Sequence, residues 1–125
     1  MSGAAFARYA PATEEGRVRS LLYFVTAAED VVPAGARLGA FQSGTLGYLR
    51  DDVVNLDGKV NEGALRAQRD LVGYCEAEGV EWVADWPHLI EGNFFHGPPA
   101  PGWTLVAERR LEGCPSCVFQ FFRRK

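Results

Sequence analysis

Apolar residues first recur with a helical period: Val18, Leu21, Leu22, Val25, Ala28 and Val32 predict one face of a helix. Thr13 is placed to cap it, with Glu14 and Glu15 in the first turn, where carboxylates meet the positive end of the helix dipole. Pro33 and Gly35 stop it. The runs then shorten. Residues 38–42 and 53–56 are brief apolar segments bounded by turn residues, which predicts two buried strands joined by a helical turn or two over 44–49. Asn61 is placed to cap a long helix lined by Ala64, Ala67, Leu71 and Cys75, and Gly79 closes it. Residues 80–84 predict a third strand ending at Asp85. Residues 86–102, with Pro87, Pro98, Pro99 and Pro101, predict a long loop with one helical turn near Leu89. Residues 103–111 and 117–124 predict a hairpin around Glu112-Gly-Cys-Pro-Ser.

Helices alternating with short strands imply an α/β fold with a parallel sheet and right-handed crossovers. The expectation is a Rossmann-like layered fold in which three parallel strands are extended by a C-terminal antiparallel hairpin. At 125 residues the chain is expected to form one domain, 13–125, preceded by a loose arm over 1–12. A formal charge of -3 argues against a nucleic-acid partner. No apolar run approaches the roughly 20 residues a membrane helix needs. The first residues hold Arg8 and no apolar core segment, so no signal peptide is expected there.

Gln42, Ser43, Asn55, Asp57 and Asp85 fall at the carboxyl ends of predicted parallel strands, with Asn61 just beyond and Trp86 opening the loop. That edge of an open α/β sheet is where ligands bind. A second reading is that Asn55, Asp57 and Asn61 build the turn, because Asn and Asp bond their own backbone and cap helices. Gly39, Gly44 and Gly47 do not have dinucleotide-loop spacing, and no Walker lysine follows. His88, Glu91 and His96 lie beside Trp82, Trp86, Phe94, Phe95 and Trp103. Rings and carboxylates together suit sugar binding, and the same rings could fill a core under the loop. Cys114-Pro-Ser-Cys117 has redox spacing but lies between two strands. Zinc would need two more ligands from Cys75, His88 and His96. No catalytic residue, cofactor or metal is assigned.

The run Pro33-Ala-Gly-Ala-Arg37, Ser43-Gly44, Leu46-Gly-Tyr48 and Val54-Asn-Leu-Asp-Gly-Lys-Val-Asn61 resembles the soluble extracytoplasmic domain of bacterial type C glycosyltransferase-like polytopic membrane proteins. The likeness covers about residues 21–85, and the Asn-Leu-Asp-Gly-x-x-Asn turn is its most specific part. It implies a non-catalytic domain, because the catalytic carboxylates of such transferases lie in a loop absent from this chain. The implied partners are a glycan, a lipid-linked saccharide headgroup or a protein. Contact with a membrane comes only through a parent protein. The implied location is periplasmic or cell-surface, and cytoplasmic if the resemblance fails. In that oxidising setting a Cys114–Cys117 disulfide is the leading expectation, with free thiols or a metal or redox pair as alternatives, and Cys75 as a buried hydrophobe. Two rival functions stand beside this one. One is a small enzyme using Asp57 or Asp85 as acid or base. The other is an interaction module in which residues 117–124 pair across a homodimer.

Overall fold

The computed structural model describes residues 14–125. Helix α1 spans Glu14–Val31, strand β1 Leu38–Ala40, α2 Ser43–Leu49 and β2 Val53–Asn55. Two short helices follow, α3 Glu62–Arg66 and α4 Leu71–Ala77, and then β3 Trp82–Asp85. A single turn, α5 Pro87–Leu89, runs straight into a π-helical turn at Ile90–Phe95. Strands β4 Trp103–Arg110 and β5 Val118–Arg124 complete the order. The expected arm over 1–12 and the Thr13 cap lie outside the described residues.

The five strands make one mixed sheet in the order β2-β1-β3-β5-β4. β1 pairs in parallel with β2 and with β3, β5 runs antiparallel to β3, and β4 runs antiparallel to β5. The architecture is therefore α/β, with a parallel half extended by an antiparallel hairpin. β5 is an interior strand with both edges paired, so the expected pairing of 117–124 across a dimer has no free edge; the outer strand is β4.

Side chains alternate across the sheet. Leu38, Ala40, Trp82, Ala84, Phe119 and Phe121 join α1 and Leu46 of α2 in one apolar cluster. Val54, Val83 and Phe122 join Ala64, Leu71, Cys75, Ile90 and Phe94 in a second cluster on the other face. The crossover from β1 to β2 thus uses the first face. The crossover from β2 back over β1 to β3 uses the second. Opposite directions on opposite faces are what a single crossover hand requires.

Three expectations are corrected here. The buried face of α1 carries Phe24, Ala27 and Ala28, whereas Val18 and Leu22 are about half exposed, at 45% and 56%. The face is rotated because Phe24 stacks flat on Phe119, with centroids 4.3 Å apart, and Ser20 donates to the Ser116 carbonyl. Both partners come from the far end of the chain. The single long helix after Asn61 is instead two, because Asp70 caps α4 by accepting from the Gly73 N–H. Aspartate favours a cap over a helix interior. Gly79 does close α4, at φ 72°. The expected loop over 86–102 is helical in its first half.

A clamp holds the amino ends of the parallel strands. The Arg50 side chain donates to both Asp52 oxygens and to the carbonyls of Val32 and Pro33, which closes the C-terminus of α1. The Gly35 N–H donates to Asp52 as well. Burial acts to raise the Asp52 pKa, but the Arg50 hydrogen bond and charge, with the Gly35 N–H, outweigh it and hold the carboxyl below its ordinary value.

Phe24→Ala should destabilise the fold by about 3–5 kcal/mol, as large-to-small core changes do. Leu22→Ala should stay within about 0.5 kcal/mol, as exposed sites do. Urea unfolding of the two variants checks the rotated face; a costlier Leu22→Ala would contradict it.

Candidate functional site

The chain leaves β1 for the first face through α2 and leaves β3 for the second face through the π-helical turn, which carries Ile90 and Phe94. The carboxyl ends of β1 and β3 therefore flank the crevice in which open α/β sheets place ligands. Here that crevice holds Asp85. Its side chain is wholly buried. One oxygen, Oδ2, accepts from the Phe41 N–H at 2.9 Å and the Gln42 N–H at 2.8 Å. The other, Oδ1, accepts from the Trp86 N–H at 2.8 Å. Burial pushes its carboxyl up to about 7, opposed by the N–H groups of Gln42, Trp86 and Phe41 and helped slightly by the Asp57 charge. Asp85 is thus an internal tie between two strand ends.

The other polar groups of this edge also bond inward. Asn55 Nδ2 donates to Ser43 Oγ, and Asn55 Oδ1 accepts from the Gly58 N–H. Asp57 Oδ1 accepts from the Lys59 N–H. Gly58 sits at φ 85°, and a Cβ there would lie 2.9 Å from Leu65 Cα, so the turn requires glycine. Asn61 caps α3 through the Ala64 N–H while its Nδ2 donates to the Asn55 carbonyl and to the Tyr74 hydroxyl. Gln42 enters through its backbone N–H to Asp85. The structure brings Gln42, Ser43, Asn55, Asp57, Asn61, Asp85 and Trp86 to one end of the sheet, as their positions implied. Asn55, Asp57 and Asn61 act there as turn and cap.

Beside this network lies a cleft of about 540 Å³ lined by Trp86, Pro87, His88, Glu91, Arg110, Pro115, Ser116 and Val118. That volume is in the range of small-molecule sites. The Trp86 ring stacks with His88 at 5.6 Å and with Phe119 at 6.3 Å. Its Nε1–H is buried and has no hydrogen-bond partner among the described residues. Burial lowers the His88 pKa, which favours the neutral ring. Arg110 pairs with Glu108 at 3.5 Å. The turn that carries Pro115 and Ser116 is closed by a Cys114–Cys117 disulfide. Cys75 is free and buried, and burial pushes its thiol up to about 12, out of reach of ordinary thiolate chemistry. No group of three or more metal-ligating side chains forms among the described residues.

His88, Glu91 and Trp86 stood out in the sequence, but Arg110, Pro115, Ser116 and Val118 did not. They reach the cleft only because β5 lies against β3, and strand order is not written in local pattern. The one available cue was Pro115-Ser116 between the two cysteines, a short turn whose closure holds both side chains in place. No helix among the described residues is long and apolar enough to cross a membrane. No protein-family model matches the chain, and no curated protein or solved structure matches it significantly.

Asn61→Ala should lower stability by about 1–3 kcal/mol, because it removes a cap and orphans part-buried partners. Asp57→Ala should cost under about 1 kcal/mol, since its partner N–H is exposed to water. Chemical denaturation of both variants tests the ranking, and the reverse order would contradict this reading of the turn.

Proposed function

We propose that this chain is a non-catalytic carbohydrate-binding domain with a Rossmann-like layered core, and that the cleft at the end of β3 receives a sugar. The observation that carries the reading is the lining of that cleft. A stacked Trp86–His88 wall stands beside Glu91, Arg110 and Ser116. Rings of this kind pack against the apolar face of a pyranose, while carboxylate, guanidinium and hydroxyl groups bond its hydroxyls. Small-molecule sites combine an apolar lining with a few placed polar groups in this way.

The Val54–Asn61 resemblance to domains of type C glycosyltransferase-like proteins supports a polymer or lipid-linked sugar as the natural ligand, and a role beside such a protein. The disulfide is in keeping with an oxidising compartment outside the cytoplasm. The enzyme reading would gain from a perturbed carboxylate facing an open cleft. The strongly perturbed carboxylate is Asp85, whose upward shift comes from burial and is opposed by the three N–H groups it bonds, and it does not face an open cleft. The interaction-module reading needs an inviting edge on the hairpin. The outer strand β4 carries a register shift between Leu105 and Ala107 and ends in Glu108, Arg109 and Arg110, and such features discourage edge pairing.

Saturation-transfer NMR against a panel of free monosaccharides and oligosaccharides tests the proposal. The expected result is saturable sugar binding, weakened tenfold or more in Arg110→Ala, which removes an exposed cleft side chain. No binding to any sugar in the panel would contradict it.

A further inference from the structure

The sugar cleft has a neighbour. A second cleft of about 480 Å³ is lined by Ile90, Phe95, Pro98, Pro99, Leu105 and Phe122, together with Glu91 and Gln120. Glu91 lines both clefts. The floor they share is one face of the hairpin. Val118, Gln120 and Phe122 alternate along β5 and so point the same way. Arg110, Glu108 and Leu105 of β4 lie opposite them in register. From Val118 to Phe122 this floor runs four residues, about 13 Å at the usual strand rise.

We infer that the two clefts are halves of one groove across the hairpin face, and that the groove takes a neutral oligosaccharide of at least two linked units, one on each side of Glu91. This rests on the carbohydrate reading given above and extends it from a sugar to a chain.

The groove changes character along its length. The first half has the Trp86–His88 wall and Arg110. The middle is polar, with Glu91 on one side and Gln120 on the floor donating to Glu108 at 3.1 Å. The second half is apolar, with Phe95, Leu105 and Phe122. Aromatic and apolar surfaces separated by hydroxyl-bonding groups match sugar rings joined by polar linkages. The ridge is firmly placed, because the Gly97 N–H donates to the Glu91 carbonyl at 2.9 Å and His96 ends the π-helical turn in the left-handed region at φ 56°.

Charge favours a neutral occupant. Arg110 is paired with Glu108, and Glu91 faces both halves, so neither half offers a free excess of positive charge to an anionic chain. An extended peptide fits less well. Peptides that bind sheets bond main chain to main chain along an edge. Here the floor is a face, and the backbone of β5 is committed to ladders with β3 and β4. Only side chains are left to make polar contacts, and hydroxyls are the groups they suit.

The test is a printed array of neutral mono-, di- and trisaccharides, with a matched panel of tetrapeptides, probed with the full chain. The wild type should bind at least one di- or trisaccharide tenfold or more tighter than its component monosaccharides. Leu105→Arg, a change at an exposed position in the second half, should bring the longer chains down to monosaccharide affinity, and Glu91→Ala should weaken them too. Circular dichroism confirms folding of each variant. Equal affinity for mono- and oligosaccharides, with no effect of Leu105→Arg, would overturn the two-part groove and leave the sugar cleft standing. Absence of any glycan binding, or binding of peptides in its place, would overturn both.

Discussion

The carboxyl end of the sheet depends on the Asp85 carboxyl. β1 and β3 each end where backbone N–H groups need partners, and a buried N–H without one costs about 1–3 kcal/mol. Asp85 supplies three acceptances from one side chain, two to the turn after β1 and one to the residue after β3. That fixes where α2 begins, and it orients Trp86 at the mouth of the cleft. It also withdraws Asp85 from the crevice expected to hold a ligand. The side chain that would have faced the ligand faces the backbone, and the open cleft lies one step further along, past Trp86.

The opposite end has its own device. Arg50 and Asp52 form a part-buried pair that gathers the carbonyls at the end of α1 and the Gly35 N–H. Ionic groups taken from water are stable only when their remaining hydrogen-bonding capacity is filled, and here it is filled by backbone. Between these two polar ends an apolar cluster packs on each face of the sheet. The Phe24–Phe119 stack ties α1 to β5 on one face, and Phe94, Phe95, Trp103 and Phe122 form an edge-on aromatic group on the other. The hairpin is thereby fixed against the parallel half, and the two clefts open along the same face as that aromatic group.

Much of this was legible in the sequence. The three parallel strands, the hairpin, the Asn61 cap and the Gly79 stop follow from local period and turn chemistry. What was not legible depends on distant pairing. The face of α1 is set by Phe119 and Ser116, which no helical period can reveal. The break between α3 and α4 was written in Asp70, a good cap, but the apolar pattern runs through it unbroken. The role of Asp85 could be placed at a strand end but not turned inward, because that requires knowing that β1 and β3 are neighbours. The cleft needed one fact more, that β5 follows β3 in the sheet.

The central claim is that Asp85 is a buried tie. Its folded pKa of about 7 lies above the ordinary value of 3.8. The folded state therefore holds a proton between those values that the unfolded chain has lost. The stability this group contributes is fully present below about 3.8, falls as pH rises toward 7 at up to about 1.4 kcal/mol per pH unit, and is level above. The measurement is urea unfolding of the wild type and Asp85→Asn at a series of pH values from acid to mildly basic. At acid pH the variant should be less stable by about 1–3 kcal/mol, because its amide nitrogen cannot accept from a backbone N–H, whereas the hydroxyl oxygen of the protonated carboxyl still can. As pH rises the wild type alone loses stability, by about 4 kcal/mol over this range, so the gap should close or reverse before neutrality and then hold constant. Equal stabilities throughout, or a gap that widens with pH, would contradict the account.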